Sequence, residues 1–216
     1  MWVDGDDFIL TEDIKKVRTL DYSAKETIIC QYIYATDEFG QPSCIVPRER
    51  IIKRSLGLKW SQPIHEYLPI LGHQTFVTDI RTYHQKQHGT SERNLKILES
   101  IVEKNPADSR NIYYFGTELL DFGRSNEGIK YLEEFIKRGD GFWEDIYKAH
   151  YRLAQFYMSR DEFKFKYHIY ESLKIEERRA EPYYTVAQYW ESKQNWLRAI
   201  QWYELCAAIK RPEDLL

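Results

Sequence analysis

The sequence predicts an α/β unit followed by an all-α repeat array. Three observations lead there. The chain opens on a short apolar lead, Met1-Trp2-Val3, that runs into Asp4-Gly5-Asp6-Asp7. Residues up to 90 then mix β-branched and aromatic stretches with one short helical pattern. From about Ser91 the pattern becomes nearly continuous helix with internal self-similarity. The expected units are therefore 1–90 for the α/β part and 91–216 for the helical array.

Read as a strand entering a loop, the opening sets Asp4 and Asp6 at alternate positions, with Gly5 allowing close backbone approach. Clustered carboxylates suit a hard divalent cation such as Mg²⁺ or Mn²⁺, which takes oxygen ligands and bridges to phosphates. The competing reading is an acidic turn that caps the next helix. That helix is expected to be capped by Thr11, with Glu12 and Asp13 in its first turn and an apolar stripe of Ile14, Val17 and Leu20.

Thr27 to Tyr34 is rich in β-branched and aromatic residues and reads as a strand. Asp37-Glu38-Phe39-Gly40 reads as a turn and Cys44-Ile45-Val46 as the returning strand, so Thr27 to Val46 is expected to be a hairpin. Pro47 to Arg54 then concentrates Arg48, Arg50, Lys53 and Arg54. This is either a solvated surface or a set of cations facing a diphosphate or another acidic ligand. Trp60-Ser61-Gln62-Pro63-Ile64-His65-Glu66 puts an indole, an imidazole and a carboxylate in one proline-containing loop. Thr75 to Ile80 reads as a strand, followed by Tyr83-His84.

In the second part, Leu95, Leu98, Ile101 and Val102 make an apolar helical face that Asn105-Pro106 ends. Gly116, Ala154 and Ala187 are small residues inside predicted helices, offset by 38 and then 33 positions. Twelve positions after each lie Gly128, Lys166 and Ala199, and four further on Leu132, Tyr170 and Tyr203. Small residues let paired helices approach while large ones fill the gaps, which resembles the tetratricopeptide repeat with its period of about 34 residues. Lys166 makes the middle unit degenerate, and Arg138 to Phe142 fits an expanded loop. The aromatic residues crowded after position 110 are then mostly inter-helix packing. Stacked helix pairs offer a surface for an extended protein or peptide partner.

The bulk composition narrows the classes. Hydrophobic content of 43% with 30% charged residues is ordinary for a globular protein. A net charge of −3 with both signs interspersed argues against nucleic-acid binding driven by bulk charge. Cys30, Cys44 and Cys206 have no metal spacing and leave one thiol over in any pairing, so reduced thiols of a cytoplasmic protein are expected. No apolar run approaches the roughly 18 residues of a transmembrane segment, and no signal peptide is visible.

Taken together, the acidic D-x-D-D, the hairpin, Pro47-x-Arg-x-Arg-Ile-Ile-x-Arg54, Trp60 with Pro63-Ile64-His65-Glu66, His84, and Arg93-Asn94-Leu95 opening the array resemble the family 2 glycosyltransferases that carry a tetratricopeptide tail. The resemblance implies a GT-A type, Rossmann-like half-domain ahead of the repeats. It implies metal-dependent, inverting transfer of a sugar from a nucleoside-diphosphate sugar to a glycan, lipid-linked or peptide acceptor. By that resemblance Asp6 meets Mn²⁺ or Mg²⁺, Asp4 meets the ribose or the metal through water, and His84 is a third ligand. Arg50 and Arg54 face the nucleotide. His65 and Glu66 lie on the acceptor side, with Glu66, partly buried beside Trp60, the favoured general base. Trp60 stacks on a sugar ring. The family places roughly a hundred residues before the D-x-D strand; without them a fragment, a split enzyme or a remnant reduced to binding is implied, with an exposed sheet edge. The alternative function is a non-catalytic repeat scaffold. A metal-dependent hydrolase lacks a nucleophile motif or dense histidine cluster.

Overall fold

The computed structural model describes residues 1–64, 66–85 and 92–210. The chain divides into two compact units that part between residues 91 and 92.

The first unit is built on a four-stranded sheet. Its elements are β1 (Asp7–Phe8), α1 (Thr11–Thr19), β2 (Thr27–Thr36), β3 (Pro42–Ile52), a 3-10 turn (Arg54–Leu56) and β4 (Thr75–His84). The strand order is β1-β4-β2-β3. β2 and β3 form the expected antiparallel hairpin. Its turn is held by the Asp37 carboxylate, which accepts from the Phe39 and Gln41 amides at 2.9 and 2.8 Å, and Gly40 takes a positive φ of 75°. β4 pairs parallel to β2 and antiparallel to β1. Ile28, Cys30, Ile33, Ile64, Leu68 and Ile80 are the buried apolar residues of this unit.

Three local expectations are corrected. Met1 to Asp6 is not a strand: a turn at Gly5-Asp6 comes first and β1 starts only at Asp7. Thr11 is the first helical residue and does not cap; Leu10 takes the cap position with no side-chain bond. α1 turns Asp13 inward and leaves Ile14 exposed, because Lys16 bridges Asp13 at 3.2 Å and Asp79 of β4 at 2.8 Å.

The architecture also departs from a Rossmann-like half-domain. Such a half-domain is a mostly parallel sheet with helices on its faces. Here two of the three strand pairings are antiparallel, and α1 is the one α-helix of the unit among the described residues. The sheet edges are also blunt. β1 has two residues, and β3 carries Pro47, which has no amide to offer a further strand.

The second unit contains α2 (Glu92–Lys104), α3 (Ser109–Asp121), α4 (Ser125–Arg138), α5 (Trp143–Tyr157), α6 (Glu162–Ile175), α7 (Ala180–Ser192) and α8 (Trp196–Ala208). The side chains of Asp108, Asp161 and Asn195 cap α3, α6 and α8 by accepting from Asn111, Lys164 and Arg198 amides. α3 pairs with α4, α5 with α6 and α7 with α8. At the first seam, a methyl group on Gly128 would stand 2.7 Å from the Gly116 carbonyl oxygen, so only glycine permits this approach. Ala187 and Ala199 are buried in the third pair. The helical repeat is thus present as expected.

The middle pair differs from the sequence reading. Ala154 is buried, but Lys166 is exposed, bonded to Glu162 and set over the Trp190 ring of α7 rather than in the α5–α6 seam. Buried His150 and His168 meet between α5 and α6 instead, with their Nδ1 atoms 3.0 Å apart. Residues 158–161 join this pair, whereas the shorter links 122–124 and 193–195 join the outer two.

The first helices of the pairs are linked side by side. Arg152 on α5 donates to Asp121 and to the Thr117 carbonyl on α3. Arg179, just before α7, donates to Glu144 on α5 at 2.8 Å, and Tyr151 bonds Thr185 at 3.0 Å.

Candidate functional site

The densest polar cluster of the first unit gathers around Arg50. β3 carries this side chain to a fully buried position. One nitrogen donates to Asp4 Oδ2 at 3.2 Å and another to Asp7 Oδ2 at 2.8 Å. The Trp2 and Tyr32 rings lie against the guanidinium, 4.1 and 4.4 Å from centroid to Cζ. The amide of Trp2 donates to the Arg50 carbonyl at 2.9 Å, which ties the chain start to β3.

Asp7 is the hub. Its side chain is fully buried. Besides Arg50, it accepts from the Tyr32 hydroxyl at 2.8 Å and lies 3.3 Å from His84 Nδ1. The β1–β4 register makes this contact, because Asp7 and His84 are direct strand partners. Burial, and then the hydrogen bond to the Asp7 carboxylate, push the Tyr32 phenol well above its ordinary range. Tyr34, two residues on along β2, stacks on His84 with ring centroids 5.2 Å apart. Asp6 Oδ2 reaches within 3.8 Å of His84 Nδ1. Asp6, Asp7 and His84 can each offer one ligand atom within 4.8 Å of the others.

Beside this cluster is a cavity of about 590 Å³ lined by Trp2, Asp4, Tyr32, Arg48, Trp60 and Glu66, among others. Trp60 meets Trp2 edge-on at 4.6 Å. Arg48 donates to the Glu66 carbonyl at 2.9 Å, and buried Glu49 accepts from the Leu68 amide at 3.0 Å. Together these bonds pin the 61–67 loop, which a Ser61–Tyr67 bridge closes.

The expected site residues are therefore redistributed. Asp4 is engaged by Arg50 rather than paired with Asp6, and Asp7 takes the inward place. Arg50 lines the cavity, but two carboxylates pair with its guanidinium and two rings lie against it. Arg54 is exposed on the 3-10 turn and does not line the cavity. Glu66 is exposed rather than partly buried, although it and Trp60 do line the cavity. His65 lies outside the described residues. Sequence reasoning misses Asp7, Tyr32, Tyr34 and Trp2. The available signal for the tyrosines is their two-residue spacing on a strand, which puts both on one face.

No family model matches the chain, and no curated protein matches it. Among solved structures it is similar to MamA, at 20% identity over 54% of this chain and 66% of that one, with a TM-score of 0.46. It is also similar to TTC0263, a thermophilic TPR protein in Thermus thermophilus, at 14% identity over 54% of this chain and 64% of that one, TM-score 0.36. A third is MamA 41-end from Desulfovibrio magneticus RS-1, at 14% identity over 57% of this chain and 87% of that one, TM-score 0.33. The chain spans just under two thirds of the length of the first two of these.

The sheet does not support the glycosyltransferase reading, which is corrected. It is a hairpin with a returning parallel strand rather than a Rossmann-like half. The nucleotide-sugar donor and its acceptors fall with that reading. No helix among the described residues is long and apolar enough to cross a membrane.

Proposed function

We propose that this chain is a non-catalytic scaffold whose helical repeats hold an extended protein or peptide partner. The observation that carries this reading is the side-by-side linkage of α3, α5 and α7 through Arg152, Tyr151 and Arg179. It aligns three first helices into one surface. Lys148 and Gln155 are exposed one seven-residue step apart on α5, and Tyr184 and Gln188 are exposed one turn apart on α7. Carboxamides both donate and accept, which suits the backbone of an extended segment, and a tyrosine ring adds apolar contact. The test is affinity capture with the full chain and with a Gln155→Ala, Tyr184→Ala, Gln188→Ala variant, read by mass spectrometry. A specific partner retained by the first and lost by the second is expected. Retention of nothing, or equal retention by both, overturns the reading.

A divalent cation at Asp6, Asp7 and His84 is a second reading for the first unit. Two carboxylates and one imidazole suit Mn²⁺ better than an all-oxygen ion such as Mg²⁺. The nearby Arg50 guanidinium works against cation affinity, so weak binding is expected. Calorimetric titration with MnCl₂ should give a heat that Asp6→Asn removes; a silent wild type rules the site out.

A further inference from the structure

The cavity beside Arg50 has aromatic walls and an excess of hydrogen-bond donors. Trp2 and Trp60 meet at 85°, so two indoles form a corner. Tyr34 and Trp60 are 53% and 51% exposed, and Val46 is exposed beside them on the cavity wall. The same walls carry three orphaned N–H groups. Trp2 Nε1, Arg48 Nε and Arg50 Nε are shielded from water, and none has a hydrogen-bond partner among the described residues. Arg48 Nε lies 3.9 Å from Glu49 Oε2, beyond hydrogen-bond reach. Orphaned buried N–H groups are rare in native proteins, so three on one cavity point to a ligand that brings acceptors.

Charge narrows the class of that ligand. Arg48 and Arg50 stand with Asp4 and Glu66 on the wall, and Asp7 pairs with Arg50 behind it. Three carboxylates against two guanidiniums disfavour an added anion. An added cation would meet two guanidiniums that already lie against the Trp2 ring, at 4.1 and 5.9 Å. What remains is a neutral ligand with apolar surface and acceptors but few donors. A polyproline II segment has that chemistry. Its pyrrolidine rings pack on aromatic faces, its carbonyl oxygens project sideways, and proline has no N–H to satisfy.

We propose that this cavity docks a proline-rich segment of a partner protein, with pyrrolidine rings against Trp60 and Tyr34 and a carbonyl oxygen accepting from the Trp2 indole. The exposed halves of the two rings supply the apolar contact, and the indole N–H fixes the register of the segment. An ordinary peptide fits less well, because each of its own amides would need an acceptor that these walls do not offer in number. All the lining residues belong to the first unit, so the inference goes beyond the scaffold reading of the helical unit and does not depend on it.

The probe is a blocked hexaproline peptide, titrated into the ¹⁵N-labelled full chain and read by NMR at the six tryptophan indole N–H signals. The Trp2 and Trp60 signals should move, Trp2 downfield as its N–H gains an acceptor, while those of Trp143, Trp190, Trp196 and Trp202 stay. Trp60→Ala removes one wall and should weaken binding by about tenfold or more. Trp60 is half exposed, so circular dichroism should be unchanged. Tyr34→Ala, at a second exposed ring, should weaken binding too and serves if the first variant fails to fold. Leu71→Glu, exposed and outside the cavity, should bind as wild type does. Signals that do not move with hexaproline, equal movement with a blocked peptide of alternating alanine and glycine, or binding that survives both wall variants overturns the proposal. So does inorganic phosphate that moves the Trp2 signal where hexaproline does not, which would make the cavity an anion site.

Discussion

Replacing Asp7 with alanine would leave the Arg50 guanidinium buried between Trp2 and Tyr32 without its shorter ion pair. Removing one partner of a buried pair commonly costs about 3–5 kcal/mol, because the remaining charge stays desolvated. Asp4 still bonds Arg50, so the lower figure of about 3 kcal/mol is expected for Asp7→Ala in urea unfolding. Asp6→Ala, at a more exposed carboxylate, should stay within about 0.5 kcal/mol of wild type. The contrast explains what the sequence conceals at this scale. D-x-D periodicity singles out Asp4 and Asp6 if a strand precedes the turn. Here the turn precedes the strand, and that one shift sends Asp7 inward toward His84. Arg50 is visible in the sequence as a cation among cations. Nothing local distinguishes it from exposed Arg54, because its burial depends on Trp2 and on carboxylates 43 and 46 positions away.

Helix pairs are far more legible, since their signal is local periodicity and small residues at repeating offsets. Gly116 and Gly128 meet as that spacing implies. Gly128→Ala would gain up to about 1 kcal/mol of helix propensity, yet it forces a methyl group against a backbone oxygen. The net effect expected in thermal unfolding is destabilisation by about 1–3 kcal/mol. The middle pair escapes the pattern because its longer link changes the register: Ala154 is buried as expected, but Lys166 is exposed and two imidazoles meet at the seam. Burial, more than any neighbour, lowers both His150 and His168 to about 4. Glu171 and Lys174 act on His150 in opposite directions, while His150, Glu133, Lys164 and Glu171 act on His168. A histidine lowered in the fold binds protons more readily when unfolded. Its stabilising contribution is therefore complete above the ordinary value of 6.5 and is lost as pH falls from there to about 4. Each imidazole can contribute on the order of 2–3 kcal/mol to that loss. Denaturation at neutral and mildly acidic pH should show it, and His150→Leu, His168→Leu should flatten the profile.

At the scale of the whole molecule, the two units close their contacts over very different stretches of chain. The seams of the helical unit join neighbouring helices, whereas Asp7 finds His84 across 77 positions. Closing long loops costs entropy before any contact is made, and domains dominated by such pairings fold slowly. The hairpin can form early, but β4 has to arrive before β1 has a partner. Helical ellipticity should therefore recover ahead of Trp2 fluorescence in stopped-flow refolding; coincident phases would contradict this order. During synthesis the same geometry sets a sequence of events. Asp4, Asp7 and Arg50 are all made before His84, so the ion pairs with Arg50 can form on the hairpin, and only the contact with the imidazole has to wait for the last strand. The Asp7–His84 contact thus records that the first unit has been completed, and a chain halted before β4 would keep the Arg50 pairs but leave β1 without a strand to join.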